Sequence, residues 1–295
     1  MASSKVALIT GGASGMGLAV AQTLAAKGWT VHILDFNQEA GVAAEQSVAG
    51  SKFHQVDVTS WTSLSVAFDA AFAQAGRLDF VFANAGVVER DNFYDTPESD
   101  GIPPEPSQKT LDVNLNSVIN QSYLALHYFR RSPHKGEGAS LVMTASVGGL
   151  YPSQYCPIYS ASKAGVIHFM RSIAFPYHHA SGIRVYATCP GTVKTNLLND
   201  KEWTTFPTEY FTPLSQIAST VAMLVEGGDM TDAWGRTVRA GDDYGLAVEI
   251  NADRFYFRDG LEFCDDAMEV VIKATSMENQ LARLEEHKAK QNGSL

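Results

Sequence analysis

The chain has 295 residues, 45% of them hydrophobic, and a formal net charge of −10 from 22 Lys and Arg against 32 Asp and Glu. That apolar content suffices for a packed globular core, while the acidic balance and the lack of any Lys/Arg run exclude a broad nucleic-acid footprint. Cys156, Cys189 and Cys264 lack metal-ligand spacing, so free thiols, no metal and a cytoplasmic setting are expected; no apolar run reaches the length of a membrane span or a signal-peptide core.

In chain order, "KVALIT" (5–10) reads as a strand ending in glycines, "MGLAVAQTLAAKG" (16–28) has helical apolar spacing, and "TVHILDF" (30–36) is a second strand, which together make a βαβ opening. The junction "TGGASGMG" spans Thr10 to Gly17. There Gly11, Gly15 and Gly17 permit a tight turn, close approach of a pyrophosphate and close packing of helix on strand, while the helix start around Ser14 and Met16 supplies amide donors. Asp35 ends the second strand, eighteen residues after Gly17. Its carboxylate suits the adenosine ribose hydroxyls and would repel a 2′-phosphate, and Ala13, Ser14, Phe36 and Asn37 supply no cation, so NAD is expected rather than NADP.

The alternation continues through "SKFHQVDVT", a helix from Ser63 to Ala75, "LDFVFANAG", a helix from Gln108 to Arg130, "ASLVMTAS", a helix containing Tyr159, and "IRVYATCPG". Strands alternating with helices imply a mostly parallel sheet covered on both faces. Two irregular stretches interrupt it. Residues 89–107 are rich in proline and acid and read as a surface loop, and residues 196–213 carry Trp203, Phe206, Tyr210 and Phe211, either as a flap over an apolar ligand or as a loop packed on the body. The expected organisation is one domain over 1–250, with a partly helical, charged C-terminal extension over 251–295.

Chemistry concentrates in "YPSQYCPIYSASK" (151–163). Pro157 suits the first turn of a helix, so Tyr159 and Lys163 fall on one face, and an adjacent ammonium favours the phenolate. Tyr159 is thus the expected acid/base, with Ser146 placed upstream at a strand end to hold a substrate oxygen. Tyr151 and Tyr155 have no lysine at that offset and either line the substrate cleft or pack. Pro176 is expected to kink or end this helix. His178 and His179 fall near a helix end before Gly182, where imidazolium would suit the dipole.

These motifs, in this order, resemble the short-chain dehydrogenase/reductase family. The matching elements are the Gly11, Gly15, Gly17 turn, "VDVT" with Asp57 and Val58, "ANAG" with Asn84, Ala85 and Gly86, Asn114 in "LDVNLNSV", Ser146 in "TASVGG", "YSASK", and "PGTVKT" from Pro190 to Thr195. The resemblance covers about residues 4–245 and looks most like the 15-hydroxyprostaglandin dehydrogenase group and related fungal NAD-dependent members. It implies a single Rossmann-like, doubly wound parallel sheet of the α/β class with helices on both faces. It further implies a catalytic tetrad of Asn114, Ser146, Tyr159 and Lys163, with Lys163 also on the nicotinamide ribose and Asn114 ordering a relay water. Asp57 and Val58 would hold the adenine, Asn84, Ala85 and Gly86 would line the trough, and Pro190, Gly191, Val193 and Thr195 would meet the nicotinamide end. Ala83 and Tyr186 depart from the usual asparagines without removing a catalytic group. The implied activity interconverts a secondary alcohol and a ketone on a hydrophobic small molecule, in a homodimer or homotetramer. A biosynthetic ketoreductase uses the same residues in reverse, and a cofactor-bound sensor or scaffold is the non-catalytic alternative.

Overall fold

The computed structural model describes residues 4–95 and 101–292, so part of the expected 89–107 loop, residues 96–100, lies outside the described residues. Strand β1 (Val6–Thr10) is buried at every position, as a strand between two helical layers must be. Its side chains alternate between faces. Val6 and Leu8 join one core, which holds Phe68, Phe129 and Met170, while Ala7 and Ile9 join the other, which holds Val20, Ile217 and Val221.

After β1 come α1 (Gly15–Ala26), β2 (Thr30–Asp35), α2 (Gln38–Ser47), β3 (Ser51–Gln55), α3 (Trp61–Ala75) and β4 (Phe80–Ala83). Asn37 caps α2 by accepting from the Ala40 amide, and Ser60 caps α3 by accepting from Ser63, so α3 begins at Trp61, two residues before the expected start. The next helical segment is interrupted. A short α4 (Lys109–Leu111) passes through a π-turn at Asp112–Asn116 into α5 (Ser117–Arg131). The chain then runs through β5 (Ser140–Thr144), α6 (Pro157–Ser181), β6 (Arg184–Pro190), α7 (Asp200–Trp203), α8 (Leu214–Glu226), the small hairpin β7 (Met230–Thr231) and β8 (Thr237–Val238), then β9 (Leu246–Asn251) and β10 (Arg254–Arg258).

The main sheet has the order β10-β9-β6-β5-β4-β1-β2-β3, parallel throughout except for the antiparallel β9–β10 pair. Strand order reverses between β1 and β4, which opens a crevice at the carboxyl ends of those strands. The outer edge of β10 is covered by the β7–β8 turn: the Ala233 amide donates to the Phe255 carbonyl at 3.1 Å, and the Phe257 amide donates to Asp232 Oδ2 at 3.0 Å.

Two expectations are corrected, and a third, that Pro176 kinks or ends its helix, loses its second alternative. The sheet extends to Arg258 and a second compact unit begins at Asp259, so residues 251–258 belong to the first unit and not to an extension. The cause is a two-residue turn at Ala252 (φ 50°) that folds β10 back onto β9. The second unit contains α9 (Asp266–Thr275), capped by Asp265 accepting from the Met268 amide at 2.7 Å, and α10 (Met277–Asn292). Pro176 does not end α6, which continues to Ser181 and closes on Gly182 in the left-handed region; buried Ala174 and Tyr177 flank the proline, and the Tyr177 hydroxyl is tied to the Ser122 carbonyl. His178 stacks on Tyr244 with ring centroids 4.0 Å apart, and burial lowers its pKa, which favours the neutral ring over the expected imidazolium.

Candidate active site

A cavity of about 1460 Å³ runs along the carboxyl ends of the parallel strands, from Asp35 and Asp57 at one end to Tyr159, Lys163 and Trp203 at the other. The turn before α1 forms its floor. Gly11 takes φ +61°, and a Cβ on Gly17 would collide with the Gly11 carbonyl oxygen, so helix and strand meet here only because both positions lack side chains. Gly17 therefore sits behind the lining, while Gly11, Ser14, Gly15 and Met16 reach it. The Ser14 side chain makes no cap bond and the first turn of α1 carries no acidic residue, which leaves its amides and positive dipole end open to an anion.

Asp35 is held at this end of the cavity by two amides: Ala13 donates to Oδ2 at 3.1 Å and Asn37 donates to Oδ1 at 3.0 Å. Asp57 accepts from both the amide and the hydroxyl of Thr59, at 2.9 and 2.7 Å, and lines the same end with Val58. Asn84 is a strut. Its Nδ2 donates to the carbonyls of Thr10 (3.1 Å) and Gly11 (3.3 Å), and its Oδ1 accepts from Thr144 Oγ1 at 3.0 Å, which joins β1, β4 and β5 beneath Ala85 and Gly86. An open helix terminus, a fixed carboxylate and glycine-cleared floor on one continuous cleft fit a dinucleotide, and the volume exceeds what a drug-sized ligand needs.

At the other end, α6 starts with Pro157 in its first turn, and Tyr159 and Lys163 lie one turn apart as expected. Lys163 is 2% exposed, and its Nζ donates to the Thr144 carbonyl at 2.7 Å while sitting 5.6 Å from the centroid of the Tyr159 ring. Burial lowers the Lys163 pKa from 10.5 to about 8. Burial raises that of Tyr159, with the Ser146 side chain opposing the rise and Cys156 adding to it. The expected lowering of the phenol by the ammonium is thus overridden in the protein alone: desolvation of the phenolate wins, and the amine is engaged with a backbone carbonyl.

Ser146 Oγ accepts from the Gly148 amide at 3.0 Å, which leaves its own hydrogen to donate into the cleft. Asn114 is fully buried in the π-turn, with both amide atoms committed to Val87: Oδ1 accepts from the Val87 amide and Nδ2 donates to its carbonyl, each at 2.8 Å. It does not line the cavity. It is nevertheless adjacent, since a Cβ built on Gly86 would lie 3.4 Å from Asn114 Oδ1 and 3.5 Å from Lys163 Nζ. Pro190, which ends β6, and Gly191, Val193 and Thr195, which follow it, line the wall between the two ends.

The aromatic candidates divide. Trp203, buried, donates from Nε1 to the Thr195 carbonyl at 3.0 Å and packs on Phe206 and Phe211, so the stretch after Thr195 is both packed on the body and part of the lining through Trp203 and Phe206. Tyr155 lines the mouth and is 93% exposed. Tyr210 and Tyr151 lie outside the lining; the Tyr151 hydroxyl instead donates to Glu249 at 3.1 Å, drawn away by a carboxylate on β9. Glu89 and Arg90 are among the lining residues that had no sequence signal. Glu89 Oε2 accepts from the Tyr159 amide at 2.5 Å, and Arg90 reaches across the cleft to Glu202 (2.9 Å) and the Leu197 carbonyl (2.7 Å), strapping one loop to the other.

A family model described as short chain dehydrogenase matches residues 5–204. A short-chain dehydrogenase/reductase of Penicillium rubens, prx7, is 50% identical over 277 residues, covering 90% of this chain and 98% of that protein. The human 15-hydroxyprostaglandin dehydrogenase [NAD(+)] is 38% identical over 205 residues, covering 67% of this chain and 71% of that protein. Among solved structures, a 3-ketoacyl-(acyl-carrier-protein) reductase from Brucella melitensis complexed with NADH superposes with a TM-score of 0.68 at 23% identity, over 84% of this chain and 96% of that one.

Proposed function

Because the chain belongs to the short-chain dehydrogenase/reductase family, we propose that it is an NAD-dependent enzyme interconverting a secondary alcohol and a ketone on an apolar small molecule. The observation that carries the reading is the meeting of Ser146, Tyr159 and Lys163 in one cleft whose far end is Asp35. When bound, a nicotinamide dinucleotide takes up or gives the hydride, and its oxidised ring adds a positive charge to the site.

Gly11, Ser14, Gly15 and Met16 would hold the pyrophosphate, Asp35 the adenosine ribose, Asp57 and Val58 the adenine, and Lys163 the nicotinamide ribose, with Asn84, Ala85, Gly86, Pro190, Gly191, Val193 and Thr195 along the trough. The NAD preference rests on Asp35. Its two oxygens are fixed by backbone amides, so a 2′-phosphate would meet a carboxylate unable to turn away, and Ser14, Phe36, Val58 and Thr59 beside it bring no cation.

Ser146 donates to the substrate oxygen and fixes it against Tyr159. In reduction the Tyr159 phenol gives its proton to the carbonyl oxygen; in oxidation its phenolate takes the hydroxyl proton as the C–H bond breaks, the carbinol hydrogen leaving with the electron pair, and the C=O bond forms. Lys163, cationic below about pH 8, keeps positive charge beneath the phenol. Asn114 fixes the Val87 backbone beside them, and by this reading orders a proton-relaying water next to Lys163. Trp203 and Phe206 cover the apolar part of the substrate, with Tyr155 at the mouth. The ratio of oxidised to reduced cofactor sets the direction.

The same reading places the protein in the cytoplasm as a homodimer or homotetramer, in keeping with its free cysteines and with the exposed Trp61 and Tyr123 pair on α3 and α5, and sedimentation tests the assembly. The catalytic assignment is tested with Tyr159→Phe. NAD affinity by calorimetry should stay within about three-fold, while turnover of a panel of hydrophobic secondary alcohols falls by at least about a hundred-fold. Full turnover in that variant would reject the mechanism.

A further inference from the structure

Gly148 and Gly149 are neighbours in the 3₁₀ turn Val147–Gly149 that follows Ser146, and they lack side chains for different reasons. At Gly149 a Cβ would lie 2.6 Å from the carbonyl carbon of Lys163, a clash with helix backbone, so the packing of the turn on α6 requires glycine there. Gly148 faces no such demand. Its φ lies outside the left-handed region, and the nearest neighbours of a Cβ would be Tyr159 Cε1 at 3.4 Å, Ser146 Oγ at 3.5 Å and Ser160 Oγ at 3.6 Å, all ordinary contacts. The hydrogen bond its N–H donates to Ser146 Oγ is one that any L-residue except proline could make.

Neither backbone conformation nor packing therefore selects glycine at 148, and the residue lines the cavity. What it leaves is a methyl-sized space bordered by the Ser146 hydroxyl and the Tyr159 ring. A substrate oxygen hydrogen-bonded to Ser146 at about 2.8 Å puts its own carbon and that carbon's neighbours roughly 3.5–4.5 Å from the serine oxygen. A Cβ on residue 148 would occupy that same shell. For a substrate held on the cavity side of Ser146, a side chain at 148 on the cavity wall would stand against the substituents beside the carbinol carbon.

We propose that Gly148 determines specificity, admitting a substrate branched at the carbon next to the carbinol or carbonyl carbon, such as a quaternary or ring-fusion carbon. The inference rests on the dehydrogenase reading above and narrows its substrate class to hindered, compact cyclic alcohols and ketones. Tyr159 and Ser146 supply the chemistry, and the missing side chain supplies the room.

Norborneol and borneol are suitable probes, because they share a bicyclic frame and borneol adds methyls, one of them on the bridgehead beside the carbinol. The wild type should oxidise both. Gly148→Ala should lower kcat/KM for borneol about 10- to 200-fold more than for norborneol, the range by which one carbon is discriminated in an apolar pocket. Binding of norcamphor and camphor to NAD-loaded Tyr159→Phe protein, with and without Gly148→Ala, should show the same selective loss by calorimetry. Thermal melting of each variant verifies its fold. Oxidation of norborneol but not borneol by the wild type, or an equal loss for both alcohols in Gly148→Ala, would overturn the inference while leaving the dehydrogenase reading intact. If the wild type oxidises neither alcohol, the dehydrogenase reading fails for these probes and the ketone-binding pattern decides the inference: selective loss of camphor upholds it, and an equal loss or no camphor binding overturns it.

Discussion

Lys163 is the residue at which the site works against the fold, and Lys163→Met makes the conflict measurable. Burial lowers its pKa from 10.5 to about 8, which corresponds to about 3 kcal/mol of disfavoured charge. Below pH 8 the lysine carries its proton in both folded and unfolded chains, and the folded state bears this full cost. Between pH 8 and 10.5 the folded lysine has lost its proton while the unfolded one keeps it, so the wild type gains stability as pH rises through this window; above 10.5 the cost is gone. Methionine removes the charge but strands the Thr144 carbonyl that Nζ now satisfies, a loss of about 1–3 kcal/mol at any pH. The apoprotein variant should therefore be as stable as the wild type or up to about 2 kcal/mol more stable at pH 7, and its advantage should shrink by about 3 kcal/mol on going to pH 10.5. Urea unfolding of both proteins across that range is the assay. A stability difference that does not change with pH would refute the burial of a charged amine beneath Tyr159.

Other consequences follow from single contacts. Asp35→Arg replaces a fixed carboxylate with a cation and should move the ratio of NADP to NAD affinity upward by at least about ten-fold, read by titration of both dinucleotides. Gly17→Ala drives a methyl against the Gly11 carbonyl and should cost about 1–3 kcal/mol in urea unfolding together with dinucleotide affinity; unchanged affinity would mean the turn does not carry the phosphates. Arg90→Ala cuts the exposed strap to Glu202 and Leu197, and should raise KM for bulky alcohols with little change in melting temperature. The wild-type counterpart of that effect is a KM that rises with salt.

The alternating frame was legible because each parallel strand is an apolar run and each crossover a periodic one, and because Gly11, Gly15 and Gly17 punctuate the first junction. Helix α2 was not, since its buried positions are Gly41 and Ala44, small residues seated on the sheet with no apolar stripe to announce them. Strand β10 lies past the last crossover, where only a left-handed Ala252 turns the chain back. Within the site, Tyr159 and Lys163 could be paired from helical spacing alone. Glu89 could not, because its bond to the Tyr159 amide joins positions 70 residues apart, and neither could Tyr151, whose partner Glu249 lies 98 residues away. The phenol's environment lies beyond sequence spacing for a related reason: offset reveals which groups are neighbours, but desolvation depends on everything packed around them.

The central claim is direct hydride exchange between a secondary alcohol and a nicotinamide in the cleft between Asp35 and Tyr159. It is tested most directly with norborneol carrying deuterium on the carbinol carbon, incubated with NAD and the wild-type protein, and mass spectrometry of the recovered reduced cofactor. One deuterium per reduced cofactor is the predicted result. Reduced cofactor without deuterium, or none formed with any secondary alcohol supplied, would contradict the account.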